Sequence, residues 1–132
     1  MGQIDKLAML VLASCVLGCS ESTEPVEGHT FVIEVSGERF RIRATNADAV
    51  AALERRQREG IVGVVAGNLV AGDGGFNDGW SWHLEPQSVH APDLAIEVCD
   101  GRPSMVENDL AYWLDTVEAF CPWGSTVVPE GA

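Results

Sequence analysis

The stretch Trp80-Ser81-Trp82-His83-Leu84-Glu85-Pro86 constrains the fold of this chain more than any other. It is entered through the glycine-rich run Gly72-Asp73-Gly74-Gly75-Phe76-Asn77-Asp78-Gly79. A glycine-rich turn feeding strict alternation is the pattern of a half-buried strand. Trp80, Trp82 and Leu84 are expected on one face, and Ser81, His83 and Glu85 on the other. Two indoles are large apolar surfaces, so the core is expected to assemble against them. The opposite face carries a closely spaced histidine and carboxylate.

With 132 residues, 46% of them hydrophobic, and a net charge of −12, the chain fits one acidic globular domain. That charge argues against a nucleic-acid partner, whose phosphates it would repel. Residues 1–18 read as a lipoprotein signal peptide. Lys6 precedes the apolar run Leu7 to Gly18, which is too short to span a bilayer as a helix. The run ends in Val16-Leu17-Gly18-Cys19-Ser20, which resembles a bacterial lipobox, with Cys19 as the lipidated residue. Leu12-Ala13-Ser14-Cys15 is an overlapping candidate, but a polar sequence follows Cys19 at once and does not follow Cys15. Acyl chains such as palmitate on Cys19 exceed what stable anchoring needs. Residues 19–29 read as a flexible tether, and 30–132 as a single domain. The expected setting is the cell envelope, with the domain outside the cytoplasm and the outer membrane favoured by Ser20.

The domain opens on a hairpin. Phe31, Ile33 and Val35 alternate with Val32 and Glu34, Ser36-Gly37 supplies a two-residue turn, and alternation resumes from Arg39. Placing Val35 opposite Glu38 sets Ile33 against Phe40 and Phe31 against Ile42, so these four apolar side chains share one face. The other face aligns Glu34 with Arg39 and continues through Arg41 and Arg43. That stripe is either an anion-binding surface or a solvated face paired with neighbouring acids.

Thr45 to Gly60 is expected to be a helix, capped by Thr45 or Asn46 and stopped at Gly60. Its apolar stripe is Ala47, Val50, Ala51 and Leu53; Arg55, Arg56 and Arg58 favour the negative end of its dipole. Ile61 to Val70 reads as a buried strand broken at a glycine. Ser88 to Ala91 and Leu94 to Cys99 read as two short strands, with Glu97 facing away from Ile96 and Val98. Ser104 to Phe120 reads as a second helix, with Leu110, Trp113, Leu114 and Val117 at helical spacing and Ser104/Glu107 as a capping box. Ser125 to Val128 forms a last strand. The expected fold is α+β: a single small domain, mainly antiparallel sheet with two helices and one disulfide.

Removal of Cys15 and lipidation of Cys19 leave Cys99 and Cys121, which outside the cytoplasm most simply pair. A zinc site from both cysteines with His83 and His90 is the sharper alternative, though no C-x-x-C pair supports it. Asp73, Asn77 and Asp78 suggest a calcium loop, but the EF-hand spacing fails at Gly75, Asp78 and Leu84. Ser81 and His83 have no third partner in sequence and no G-x-S-x-G elbow.

The blocks Gly72-Asp73-Gly74-Gly75-Phe76-Asn77, Trp80 to Pro86, Ile96-Glu97-Val98-Cys99-Asp100-Gly101 and Cys121-Pro122-Trp123 resemble a family of small domains. The family is named after the N-terminal domain of a slime-mould calmodulin-binding protein. The resemblance implies an extracytoplasmic domain with Cys99 paired to Cys121, and it supplies no catalytic residues. Calmodulin is not an expected partner, because its targets are basic amphipathic helices and this chain is acidic.

The reading is therefore a lipid-anchored, extracytoplasmic, non-catalytic binding or structural module, held to a membrane by its N-terminal lipid and open to an envelope protein partner. Its candidate binding surface comprises Asp73, Asn77, Asp78, His83 and Glu85 together with Arg39, Arg41 and Arg43. The alternative is a metal-binding, even metal-dependent enzymatic, domain with its site around His83 and Glu85. No cofactor other than such a metal ion is implied.

Overall fold

The computed structural model describes residues 25–131, so Cys15, Cys19 and the segment read as a signal peptide lie outside the described residues. Strands β1 (Pro25–Val35) and β2 (Glu38–Asn46) form the hairpin. Val35 pairs with Glu38, Ile33 with Phe40 and Phe31 with Ile42, the register that the alternation predicts. Ser36 and Gly37 both take positive φ (54° and 80°), as a two-residue turn matched to strand twist requires. β1 begins inside the segment read as tether, because Pro25 pairs with Asn46 across an irregularity that ends at His29.

Helix α1 (Ala47–Glu59) follows directly. The Asn46 side chain accepts the Ala49 N–H, and Gly60 ends the helix in the left-handed region, its own N–H reaching the Arg56 carbonyl. Ala49, Val50 and Leu53 are the buried face. Ala51 faces solvent, so the buried stripe is rotated from the one expected.

The apolar run after α1 is two strands, β3 (Val62–Gly63) and β4 (Gly67–Ala71). Strand β5 (Trp82–Leu84) pairs antiparallel with β4. Next come helix α2 (Pro103–Asn108), a short helix α3 (Leu110–Tyr112), a π-helical turn (Trp113–Val117), and strands β6 (Ala119–Phe120) and β7 (Ser125–Val128). One sheet has the order β2-β1-β7-β3 and the other β5-β4-β6, with every pairing antiparallel. The domain is α+β. No helix among the described residues is long and apolar enough to cross a membrane.

Trp82 sits at the centre of the core. It is fully buried, with ring centroids 5.4 Å from both Phe40 and Phe120. Leu84 is equally buried. Trp80 packs on the cluster only partly buried, its indole N–H donating to the Arg39 carbonyl at 3.0 Å. It therefore fastens the hairpin instead of continuing the ladder.

The segment between Pro86 and Cys99 departs from expectation. In place of two strands there is a 3-10 turn at Pro86–Ser88, a single bridge from His90 to Ala66, and a 3-10 turn at Glu97–Cys99. Prolines 86 and 92 have no N–H to give a ladder. The apolar alternation of Leu94, Ile96 and Val98 thus faces solvent instead of a sheet. The second helix is also interrupted, at Asp109 (φ −138°, ψ 52°), and Glu118 ends the π turn with φ 69°. Pro103 occupies the first helical position and makes Arg102 the N-cap. The expected capping box does not form. The Ser104 N–H and hydroxyl both donate to the Glu38 carboxylate, at 2.8 and 2.7 Å, so the hairpin caps this helix from outside.

Cys99 and Cys121 form a disulfide, with Cα atoms 5.1 Å apart. The Cys121 N–H also donates to the Cys99 carbonyl at 2.7 Å. Both cysteines pack with Val64 and Ala66 in a second, smaller core.

Candidate functional site

The glycine-rich loop between β4 and β5 folds back on itself. The Asp73 carboxylate accepts the Gly75 N–H at 2.9 Å, and its carbonyl accepts the N–H groups of Phe76 and Asn77. Asp73 therefore organises a turn, the ordinary work of an aspartate side chain in such a position. Gly74 is required there, since φ is +67° and a Cβ would lie 2.7 Å from the His83 ring.

His83 lies beneath that loop. Its Nδ1 is 2.7 Å from the Gly72 carbonyl; a carbonyl only accepts, so Nδ1 carries the proton. The ring meets the edge of Phe76 at 5.4 Å, and Phe76 in turn lies under the Arg43 guanidinium at 5.2 Å. Asn77 is wholly buried. Its Oδ1 accepts the Arg41 N–H at 2.8 Å, and its Nδ2 donates to the Trp82 carbonyl at 2.8 Å. Both ends of the amide are committed to backbone.

The glycine-rich loop and the arginine stripe, far apart in sequence, thus lie side by side. The loop from Asp73 to Trp80 lies along β2, beside Arg39, Arg41 and Arg43. A cleft of about 200 Å³ opens between them, lined by Val32, Phe40, Arg39, Arg41 and Asp78 with Gly131. Both of its arginines are paired with carboxylates. Arg39 reaches Glu34 at 3.1 Å and Arg41 reaches Glu130 at 2.8 Å. Such exposed pairs contribute little to stability; here they offset two of the three arginines of the stripe, while Arg43 lies over Phe76. Glu85 is exposed, and its backbone bonds to Asn68 and Ser88. Among the described residues no three His, Cys, Asp or Glu side chains come together as a metal ion would need.

Several polar residues outside the predicted surface prove to be structural links. Glu107 accepts both the N–H and the hydroxyl of Ser81, at 2.8 and 2.7 Å, tying α2 to the start of β5. Arg56, read as a dipole partner, turns inward. Its guanidinium donates to the carbonyls of Val64, Ala91 and Pro92. Burial lowers its pKa, with Arg55 adding to that and Asp93 opposing it. Gly63 makes room for it, since a Cβ there would stand 3.1 Å from the Arg56 Cζ. An arginine followed seven residues later by a glycine carries no periodic signal, so no sequence pattern exposes this pairing.

A family model described as the BP-74 N-terminal domain matches residues 27–132. The chain belongs to this family. The match runs through the hairpin, the glycine-rich loop, β5 and both disulfide cysteines, and so takes in every block that carries the resemblance. No curated protein and no solved structure matches the chain.

Proposed function

We propose that this member of the BP-74 N-terminal domain family is a lipid-anchored, extracytoplasmic binding or structural module of the bacterial cell envelope that performs no catalysis. The observation that carries the reading is how the polar groups of the most promising site are used. Asn77 holds two strands together, Asp73 folds a turn, His83 binds a carbonyl under Gly74, and Arg39 and Arg41 face their own carboxylates. Catalytic groups need a face left open to a substrate; these spend their hydrogen bonds on the fold. The Cys99–Cys121 disulfide supports an oxidising compartment, in keeping with a signal peptide ending before Cys19.

The test is the melting temperature of the full chain with chelator and against a panel of divalent metals. A ligand that binds the native state raises it by mass action. The module reading expects no shift with any metal. A shift that His83→Ala removes would contradict it in favour of metal chemistry around His83 and Glu85.

A further inference from the structure

From Asp93 to Val98 the chain groups three exposed aliphatic side chains in one loop: Leu94, Ile96 and Val98 are 85%, 69% and 56% exposed. This loop is held firmly at both ends. Arg56 grips the carbonyls of Ala91 and Pro92 at its entrance, and the Cys99–Cys121 disulfide closes its exit. Trp123, itself partly exposed, has its backbone fixed beside that exit, its main-chain N–H donating to the Asp100 carboxylate at 2.9 Å. Apolar side chains presented from a braced frame mark an interaction surface.

We infer that this loop is a second membrane contact, inserting Leu94, Ile96 and Val98 into the lipid surface to which Cys19 is anchored. The inference rests on the lipid-anchored reading and deepens it. Chain length favours the bilayer as the occupant. Six peptide steps join Cys19 to Pro25, a reach of about 20 Å when extended. Pro25 pairs with Asn46 at the start of α1, and Asn46 shares a cleft with Pro92 at the loop entrance. Arg56, which grips that entrance, stands ten residues along α1 from Asn46, about 15 Å. The tether's reach exceeds that span, so the anchored domain can set its loop on the membrane.

Composition points the same way. Protein-binding hot spots are rich in Trp, Tyr and Arg and poor in Leu and Val, whereas the exposed aliphatic side chains of this loop suit hydrocarbon. A neighbouring indole suits the headgroup level. Asp93 and Glu97 accompany the tip residues, so uncharged headgroups are preferred to anionic ones and the contact is insensitive to salt.

The experiment uses the full-length mature protein carrying Ile96→Trp, reconstituted into phosphatidylcholine vesicles with and without brominated acyl chains. Flotation with the vesicles reports the anchor, and quenching of the added fluorescence reports the loop. The expected result is flotation with quenching of most of the added emission. Adding Leu94→Asp and Val98→Asp should abolish that quenching while flotation persists. Flotation without quenching overturns the loop contact and leaves the anchor standing. Failure to float overturns both. Added emission that is already blue-shifted and shielded from acrylamide without lipid means another protein surface, such as a second copy, covers the loop, and also overturns the inference.

Discussion

Asn77→Ala is the substitution whose cost follows most directly from the structure. The side chain is fully buried and bridges the Arg41 N–H on β2 to the Trp82 carbonyl on β5. Truncation leaves both backbone groups without that partner. Each buried polar group left unpaired costs about 1–3 kcal/mol. The Arg41 N–H is only part-buried, and water recovers some of its share. The expected loss is therefore about 2–4 kcal/mol, a large fraction of the roughly 5–15 kcal/mol that holds a small domain together. In thermal unfolding this corresponds to a fall in Tm of roughly 10–25 °C for a domain of this size.

Asn77→Asp separates the two bonds. An ionised carboxylate still accepts from Arg41 but opposes the Trp82 carbonyl, whereas the protonated form donates to that carbonyl. Folding therefore favours the protonated form and raises the group's pKa. By linkage, this variant comes nearest to wild type in stability at low pH and loses stability relative to it as pH rises above the ordinary aspartate range. Urea unfolding of wild type and both variants across pH measures this. A loss below ~1 kcal/mol for Asn77→Ala, less than one unpaired group, would refute the reasoning, as would a pH profile for Asn77→Asp that parallels wild type.

Three further outcomes are expected. Arg56→Ala removes bonds to three carbonyls and should cost about 2–3 kcal/mol, with faster hydrogen exchange from Ala91 to Val98. Arg56→Lys should not restore it, because an ammonium lacks the planar fork. Gly74→Ala combines a left-handed backbone with a 2.7 Å approach to His83; a loss of about 1–3 kcal/mol is expected from denaturant unfolding. Replacing Cys99 and Cys121 together by alanine opens a closure spanning 22 residues and should cost about 3 kcal/mol in the loop-entropy account, read as a lowered urea midpoint.

What the sequence makes legible follows the reach of each signal. The hairpin register, the Asn46 and Gly60 caps and the burial of Trp82 and Leu84 rest on local periodicity and backbone preference, and the structure has all of them. Leu94, Ile96 and Val98 show the limit of that method. Their alternation has strand period, but a strand exists only where a partner edge accepts its hydrogen bonds, and Pro86 and Pro92 precede this stretch. Ser104 and Glu107 have capping-box spacing, yet Pro103 shifts the helix start and both side chains bind elsewhere, to Glu38 and Ser81. The candidate surface is readable in the sequence as a set of residues but not as a unit. Asn77 joins it to Arg41 across 36 positions, and no spacing rule spans that distance.

The lipid anchor is the central claim, and the intact mass of the mature protein extracted from bacterial membranes tests it most directly. The account predicts a chain that begins at Cys19 and carries the added mass of a diacylglyceryl group with its further acyl chain, all of it lost in Cys19→Ala. An unmodified chain beginning elsewhere would contradict the account.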